Sequence, residues 1–242
     1  MTGRGALHGQ VAIVTGAGRG IGHAVAMAFA REEATVVLAA RTRQQLAATA
    51  AAIRESGGTA LAIPTDVTQD GAVEAMVEEA VAELGRLDTL VTAAGAASFG
   101  PVVGTKPADW DAILAVNLRA VMVCCRAVLP IMIRQRRGTI INIASIAAQR
   151  AIPGAAVYTA TKAGVVGFSR VLAEELRPEG VRVGVLVPGA VDTPLWDAIP
   201  NSPDRSRMLR PEDVARAAVL MASLPPGASL EELTMLPQGG IL

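Results

Sequence analysis

The stretch TIINIASIAAQRAIPGAAVYTATKAG, residues 139–164, decides the fold because it joins a buried strand to a helix that faces the strand's end. Its β-branched opening predicts a strand, and Ser145 stands where that strand should stop. A Pro-Gly pair then interrupts the chain, and a helical pattern runs from 155 to about 177. Tyr158 and Lys162, four residues apart, share one face of this helix and can point into one cleft.

This pairing of a tyrosine with a lysine is suited to acid–base chemistry. A free tyrosine has a pKa of ~10 and is a poor acid–base catalyst at neutral pH. An ammonium group about 4 Å away, at an effective dielectric constant near 20, contributes ~4 kcal/mol, or roughly three pKa units. Lys162 therefore suffices to lower the pKa of Tyr158 unless desolvation cancels its effect. The alternative is that Tyr158 is a half-buried helix residue and Lys162 a solvated one.

The composition favours one α/β domain over residues 1–242 with an aliphatic core. Half of the 242 residues are hydrophobic (51%), whereas aromatic residues make up only 2%. With 22 basic and 22 acidic side chains the net charge is zero, so no nucleic acid or anionic membrane surface is expected as a partner.

The sequence also bears on the compartment of the protein. Cys124 and Cys125 are adjacent in an apolar run and make no disulfide framework, which favours a reducing cytoplasm. The opening residues lack the apolar segment of a signal peptide. The longest apolar region, 112–133, contains Asn117, two arginines and a proline, and we expect it to be too polar for a membrane span. We expect no metal site.

A glycine-rich turn follows the first predicted strand, VAIVT at 11–15, and precedes a helical pattern. Gly16, Gly20 and Gly22 allow a tight turn and a close approach of the backbone to a pyrophosphate at the helix N-terminus. Their spacing departs from the general Gly-x-Gly-x-x-Gly pattern because Ile21 occupies the position of its last glycine. A simple turn is the alternative, but the position between strand and helix favours dinucleotide binding.

Strands and helices alternate along the whole chain. Strands are predicted at 11–15, 35–40, 59–64, 88–92, 139–144, 181–187 and 233–236. Besides the helix after the glycine turn, helices are predicted at 43–56, 69–84, about 107–136, 155–177 and 211–223. Pro130 is expected to bend or end the helix at 107–136. This order predicts a Rossmann-type α/β fold: a doubly wound, parallel seven-stranded sheet with helices on both faces. The irregular segment 189–210 follows a strand's carboxyl end and is predicted to be a mobile lid over the substrate.

Taken together, these motifs resemble the short-chain dehydrogenase/reductase family over residues 8 to about 240. The motifs that carry the resemblance are Thr15-Gly16-x-x-x-Gly20-Ile21-Gly22, Asp66, Asn117, Ser145, Tyr158-x-x-x-Lys162 and Pro188-Gly189. Each motif alone is weak, whereas the ordered set is specific.

The resemblance implies a catalytic role for four residues. Tyr158 would protonate the carbonyl oxygen as hydride arrives from a nicotinamide, and Ser145 would hydrogen-bond the same oxygen. Lys162 would hold the ribose hydroxyls and lower the pKa of Tyr158. Asn117 would use a backbone irregularity in the long helix to hold a water molecule that relays protons. The alternative for Asn117 is an amide bonded to nearby backbone.

The resemblance also implies where the cofactor binds. Asp66 would lie near the adenine, although it and Thr68 could instead cap the following helix. The implied cofactor-binding set is Gly16, Arg19, Gly20, Ile21, Gly22, Arg41, Asp66, Val67, Ala94, Gly95, Tyr158, Lys162, Pro188, Gly189, Val191 and Thr193.

The end of the second strand predicts NADP(H) rather than NAD(H). Folds of this kind that bind NAD place an acidic residue there to accept hydrogen bonds from the ribose 2′-hydroxyl. Here Ala40 occupies the position, Arg41 follows, and no acidic residue occurs between Glu33 and Glu55. Arg19, in the glycine turn, can approach a 2′-phosphate from the other side. The alternative is that both arginines are solvated.

Two segments depart from the family pattern. Residues 92–95 read Thr-Ala-Ala-Gly where the family commonly has Asn-Asn-Ala-Gly, so that corner must be held in another way. The ending EELTMLPQGGIL lacks the common Asp-Gly-Gly, which leaves the contacts of the final segment open.

The expected activity is NADPH-dependent hydride transfer to a small or acyl-type ketone, or the reverse oxidation of a secondary alcohol. The 3-oxoacyl-carrier-protein reductases are the nearest relatives by motif, and a non-catalytic dinucleotide sensor or scaffold is the competing class. The pocket is expected to be lined by 96–101, 146–154 and 189–207, which are mostly aliphatic. Two long helices are apolar on more than one face, at Val121, Met122 and Val123 and at Val165, Val166 and Phe168, which predicts a homotetramer or a homodimer.

Overall fold

Seven parallel strands form one sheet in the order β3-β2-β1-β4-β5-β6-β7. The structure is a computed structural model that describes residues 4–199 and 202–241. The strands are β1 Val11–Thr15, β2 Thr35–Ala40, β3 Thr59–Pro64, β4 Thr89–Thr92, β5 Gly138–Ile143, β6 Val181–Pro188 and β7 Glu232–Met235. Each predicted strand is present, and the bounds differ from the prediction by at most one residue.

Helices cover both faces of this sheet, as the alternating pattern predicts. The α-helices are α1 Gly20–Arg31, α2 Arg43–Glu55, α3 Asp70–Leu84, α4 Pro107–Leu114, α5 Ala120–Gln135, α6 Ala156–Leu176 and α7 Pro211–Ala222. Helices α1, α2 and α7 share one apolar cluster, whereas α3, α5 and α6 share the other. The doubly wound Rossmann-type fold is confirmed.

The core is aliphatic and divides at the sheet because strand side chains alternate between its faces. Within β1, Ile13 belongs to the cluster under α3, α5 and α6, while Val14 belongs to the cluster under α1, α2 and α7. Phe29 is the one aromatic side chain among the fully buried residues of the described chain.

The predicted long helix at 107–136 has three parts. A π-helical turn, Ala115–Arg119, separates α4 from α5, and α5 continues through Pro130 to Gln135, so this proline does not end the helix. By length and composition alone, Pro107–Gln135 could cross a membrane. Its inner face instead packs in the core, and Arg119 on its outer side pairs with Asp70 of α3 at 2.5 Å. This is the environment of a core helix in a globular fold.

Helices α5 and α6 carry apolar residues on more than one face, as predicted. Val121, Val165 and Val166 lie in the core, at 3%, 0% and 6% exposure. Met122 on α5 and Val171 on α6 point outward and are 37% and 60% exposed. Successive residues on a helix point to different sides, so one apolar run supplies both faces.

The strand order positions the site, because the connection from β3 crosses to β4 on the far side of β1. A crevice therefore opens at the carboxyl ends of β1 and β4, where ligands of open α/β sheets bind. The carboxyl end of β5 lies beside it.

The segment 189–210, predicted as a mobile lid, is folded onto itself where the structure describes it. A bridge joins Val191 to Leu209, and Arg205 contacts Asp192 at 2.5 Å and Asp197 at 2.6 Å. Pro200 and Asn201, which the lid prediction includes, lie outside the described residues. Mobility of this segment stays a prediction.

Candidate active site

The predicted catalytic side chains meet at the end of β5. Ser145 begins a short 3-10 turn and accepts a hydrogen bond from the amide of Ala147 at 3.2 Å. Tyr158 and Lys162 lie on α6 in the first two turns after the Pro-Gly break. Lys162 Nζ donates to the carbonyl of Ile143 at 2.9 Å and lies 5.8 Å from the centre of the Tyr158 ring.

Burial controls the ionisation of this pair. Desolvation raises the pKa of Tyr158, and the Ser145 side chain acts in the opposite direction. Burial also lowers the pKa of Lys162 to about 8. Desolvation, the effect that can cancel the influence of Lys162 on Tyr158, therefore acts on both members of the pair. Lys162 is itself buried, with 6% exposure.

Asn117 occupies the π-helical turn between α4 and α5 and is fully buried. Its carboxamide accepts from the amide of Ala96 at 2.9 Å and donates to the carbonyl of Ala96 at 2.8 Å. A longer bond of 3.4 Å reaches Thr161 Oγ1. The predicted backbone irregularity is present, and so is the alternative, an amide bonded to nearby backbone. A π turn widens the helix and frees backbone groups, so the two features are compatible.

The glycine turn forms a cradle that a side chain would fill. Gly16 has φ +70°, and a Cβ there would lie 2.8 Å from the amide nitrogen of Ala94. Helix α1 then starts at Gly20 with no acidic residue in its first turn and no side-chain cap from Arg19. Its first amides are therefore free to bind an anion. Gly22 must also lack a side chain, because its Cβ would lie 2.4 Å from the carbonyl oxygen of Gly16.

The ends of β2 and β3 carry the groups predicted to select the cofactor. Arg19 and Arg41 are exposed, and Ala40 presents only a methyl group between them. Arg41 is close enough to contribute, as the smallest of the causes, to the lowered pKa of Asp66. The main causes are hydrogen bonds to Asp66 from the amide and hydroxyl of Thr68, at 3.0 and 2.8 Å.

Asp66 does not cap the following helix. It closes a local turn with Thr68, whereas α3 begins four residues later at Asp70. The capping alternative is therefore wrong. The next residue, Val67, is buried in the core at 6% exposure.

The unusual Thr-Ala-Ala-Gly corner is held by two threonines. Thr15 Oγ1 accepts hydrogen bonds from the amides of Ala93 at 3.1 Å and Ala94 at 3.3 Å. Thr92 Oγ1 donates to Asn142 Oδ1 at 2.7 Å, inside the core. Side-chain hydroxyls thus replace the missing amides. Gly95 follows, where a Cβ would lie 3.3 Å from Asn117 Oδ1 and 3.9 Å from Lys162 Nζ.

The remaining predicted cofactor residues lie at the end of β6. Pro188 and Val191 are buried, and the amide of Gly189 donates to the carbonyl of Met235 at 2.7 Å. This bond is one contact made by the atypical C-terminal segment. Thr193 is 8% exposed, and its Cγ2 would lie 3.3 Å from a Cβ on Gly20, so it borders the glycine turn.

Two aromatic residues of the site were not singled out by the sequence analysis. Phe99, after β4, has its ring centre 6.0 Å from that of Tyr158. Trp196, in the 189–210 segment, stacks on Phe99 at 6.1 Å with 17° between the ring planes. The signal that could have found them is their rarity: the sequence has only six aromatic residues, and these two fall in predicted pocket segments.

The described residues, 4–199 and 202–241, contain no cluster of histidine, cysteine, aspartate or glutamate suited to a metal ion. The site thus comprises an acid–base group, a glycine cradle and an arginine-bearing edge along one crevice. The cradle and the open helix N-terminus fit a dinucleotide.

Comparison with known proteins agrees with this geometry. The family described as short chain dehydrogenase matches residues 10–204. A 3-oxoacyl-[acyl-carrier-protein] reductase of Synechocystis is 35% identical over 243 residues, covering 98% of each chain. A short-chain reductase, NovJ, of Streptomyces niveus is 45% identical over 190 residues, covering 78% of this chain and 72% of its own. A metagenomic short-chain oxidoreductase solved in complex with NADP has a TM-score of 0.85 and 38% identity, covering 96% of this chain and 99% of that one. The chain belongs to the short-chain dehydrogenase family and is an oxidoreductase of the reductase and dehydrogenase type.

Proposed function

We propose that this oxidoreductase is an NADPH-dependent carbonyl reductase in which Tyr158 is the proton donor. The observation that carries the proposal is the convergence of Ser145, Tyr158 and Lys162 at one strand end, beside the glycine cradle. A hydride added to a ketone creates an oxyanion, and such a charge is stabilised by donors already in place.

The protein's own side chains have distinct roles in this reaction. When bound, the nicotinamide cofactor supplies the hydride. The Ser145 hydroxyl donates a hydrogen bond to the substrate oxygen and orients it. The Tyr158 hydroxyl transfers its proton to that oxygen as negative charge develops, and the raised pKa of Tyr158 keeps it protonated at neutral pH. Lys162, on the next turn of α6, lies beside it and can return a proton.

The preference for NADP(H) rests on charge at the crevice edge. Glycine-turn residue Arg19 and strand-end residue Arg41 are exposed, and Ala40 stands where an acidic residue would repel a phosphate. A 2′-phosphate forms charge-assisted bonds with arginine, each contributing ~1.5–3 kcal/mol. The NADP bound in the metagenomic relative supports the same assignment.

The test is turnover of a ketone panel. Loss of NADPH absorbance should depend on both protein and ketone, and NADH should be used at least 10² times less efficiently in kcat/KM. A protein that binds NADPH yet turns over no ketone or secondary alcohol would fit a non-catalytic sensor or scaffold instead.

A narrower candidate is a 3-oxoacyl-[acyl-carrier-protein] reductase. The specific observation in its favour is the Synechocystis relative of that name, which aligns over nearly the whole chain. The test is the ratio of kcat/KM for an acetoacetyl group on carrier protein to that for the same group on a short thiol. A ratio near one would count against this narrower function and leave the general reductase in place.

A further inference from the structure

An aromatic wall stands beside the proposed proton donor. We define it by three side chains: Phe99 from the loop after β4, Tyr158 from α6 and Trp196 from the segment after β6. Phe99 lies between the other two, with ring centres 6.0 Å from Tyr158 and 6.1 Å from Trp196. We infer that this wall selects carbonyl substrates that carry an aromatic ring near the reacting carbon. The inference rests on the proposed function.

The concentration of aromatic residues here is the first reason. The chain has only six aromatic side chains: three Phe, two Trp and one Tyr. Three form the wall, and a fourth, Trp110, lines an apolar hollow beside it that also borders Gly100 and Val157, the chain neighbours of Phe99 and Tyr158. The remaining two, Phe29 and Phe168, belong to or pack against the otherwise aliphatic core, so half of the aromatic side chains gather at this one place.

The second reason is that packing does not bury the three aromatic residues completely. Phe99, Tyr158 and Trp196 are each only partly buried, so each residue keeps surface that a ligand could contact. Their orientation is nevertheless fixed. The indole of Trp196 donates to the carbonyl of Val191 at 2.9 Å, which holds one edge of the ring.

The wall is not needed to hold the two loops in place. The loop carrying Phe99 is tied to the loop before α6 by a backbone bond of 2.8 Å from Gly100 to Gly154. The segment carrying Trp196 is tied internally by Arg205, through Asp192 and Asp197. Both loops therefore have polar ties of their own, which should hold them when one ring of the wall is replaced.

The geometry specifies how such a ligand would bind. The ring centres of Phe99 and Trp196 are 6.1 Å apart. A third ring inserted between two others requires a separation of about 7 Å, so the substrate ring does not fit between them. The substrate ring therefore lies against the wall, edge-on or offset, as aromatic pairs prefer. Because Tyr158 is part of the wall, a ring one or two atoms from the carbonyl brings the carbonyl oxygen to the tyrosine hydroxyl.

The experiment compares two ketones that differ only in aromaticity. Phenylacetone and cyclohexylacetone have carbonyls of similar reactivity, because neither ring is conjugated with the carbonyl, and the rings are similar in size. With NADPH in excess, we expect kcat/KM for phenylacetone to exceed that for cyclohexylacetone by about tenfold, the effect of one to two aromatic contacts. Phe99→Leu and Trp196→Leu should each lower this ratio about three- to tenfold, mainly by reducing kcat/KM for phenylacetone.

Phe168→Leu is the matched control, because Phe168 lies on the same helix as Tyr158 but packs against the core. It should leave the ratio unchanged. A wild-type ratio near one, measured on the unaltered protein, would overturn the inference while leaving the reductase function intact. A ratio that survives both Phe99→Leu and Trp196→Leu would overturn it as well. Failure to reduce any ketone with NADPH would instead overturn the proposed function, on which the inference rests.

Discussion

At the scale of single residues, burial governs the ionisation of the proposed acid Tyr158 and of its neighbour Lys162. Burial keeps the tyrosine protonated, because desolvation disfavours the phenolate, and it weakens the hold of the lysine on its own proton. The raised pKa makes Tyr158 a weaker acid that holds its proton at neutral pH, whereas the lowered pKa of Lys162 makes its ammonium group a stronger acid. The reverse reaction, which needs Tyr158 as a base, is correspondingly favoured only at higher pH.

The first prediction concerns the proton donor. Tyr158→Phe keeps the ring and its contact with Phe99 but removes the hydroxyl, so kcat for ketone reduction should fall by at least ~10². The measurement is steady-state kinetics with NADPH, together with the dissociation constant for NADPH, which should change little. Retention of more than a tenth of wild-type kcat, with the chemical step rate-limiting, would exclude Tyr158 as the acid.

The second prediction is a pH dependence. Lys162 is protonated below its pKa of about 8 and loses its charge above it. We therefore expect kcat/KM for reduction to be level below pH 8 and to decline as pH rises through that value. A profile between pH 6 and 10 measures this. In Lys162→Arg the side chain stays charged over the whole range. The decline near pH 8 should therefore disappear from the activity that this variant retains. If the decline persists, a group other than Lys162 causes it.

The third prediction concerns the cofactor. Ala40→Asp combined with Arg41→Ile adds a carboxylate that accepts hydrogen bonds from a ribose 2′-hydroxyl and removes a cation that pairs with a 2′-phosphate. The ratio of kcat/KM for NADPH to that for NADH should fall by about 10² or more. Arg43→Ile, at the exposed start of α2, is the control and should preserve the ratio. Equal use of both cofactors by the wild-type protein would contradict the proposal.

At the scale of elements, the end of β4 shows how a sheet corner is held without the family's amides. Thr92, Asn142 and Ser169 form a buried chain of hydrogen bonds at 2.7 and 2.9 Å, linking β4 to β5 and α6. Asn142 lies in β5, three residues before Ser145, which follows the end of that strand. The network therefore connects the core to the strand end that carries the site.

The fourth prediction tests this network. Thr92→Val keeps the shape of the side chain but removes the donor to Asn142, so the free energy of unfolding should fall by about 1–3 kcal/mol. Thr92→Ser retains a hydroxyl and is the conservative control. Denaturant unfolding of the two variants should separate them, and equal stabilities would show that the hydroxyl contributes nothing at this position.

Some features of the strands, helices and loops could be predicted from the sequence, and others could not. Strand and helix bounds follow from periodicity and glycine positions, because those signals are local. The carboxamide bond of Asn117 and the hydroxyl bonds of Thr15 are not local: they depend on Ala93, Ala94 and Ala96, which approach only after the sheet forms. The pKa of Tyr158 also escaped sequence reasoning, since the distance to Lys162 could be guessed but the burial of both groups could not.

At the scale of the whole molecule, a surface formed by α4, the π turn, α5 and α6 exposes several apolar side chains. Leu114, Met122 and Val171 are exposed at 39%, 37% and 60%. Between them, Leu118 packs on Gly164, and a shallow hollow opens beside Leu114 and Met122. Exposed apolar side chains on adjacent helices are typical of a surface that is buried by another copy of the chain.

The last prediction is that this surface forms a homotetramer. Light scattering at micromolar concentration should give a mass of about 99 kDa, four times the chain mass of 24.8 kDa. Val171→Glu and Met122→Glu each place a charge in the apolar surface and should shift the mass towards the dimer or monomer, because burying an unpaired charge is costly. Leu220→Glu on α7, at a position 50% exposed on the opposite face of the sheet, should leave the mass unchanged. A wild-type monomer would contradict the predicted tetramer. A tetramer that only Leu220→Glu dissociates would show that the interface lies elsewhere.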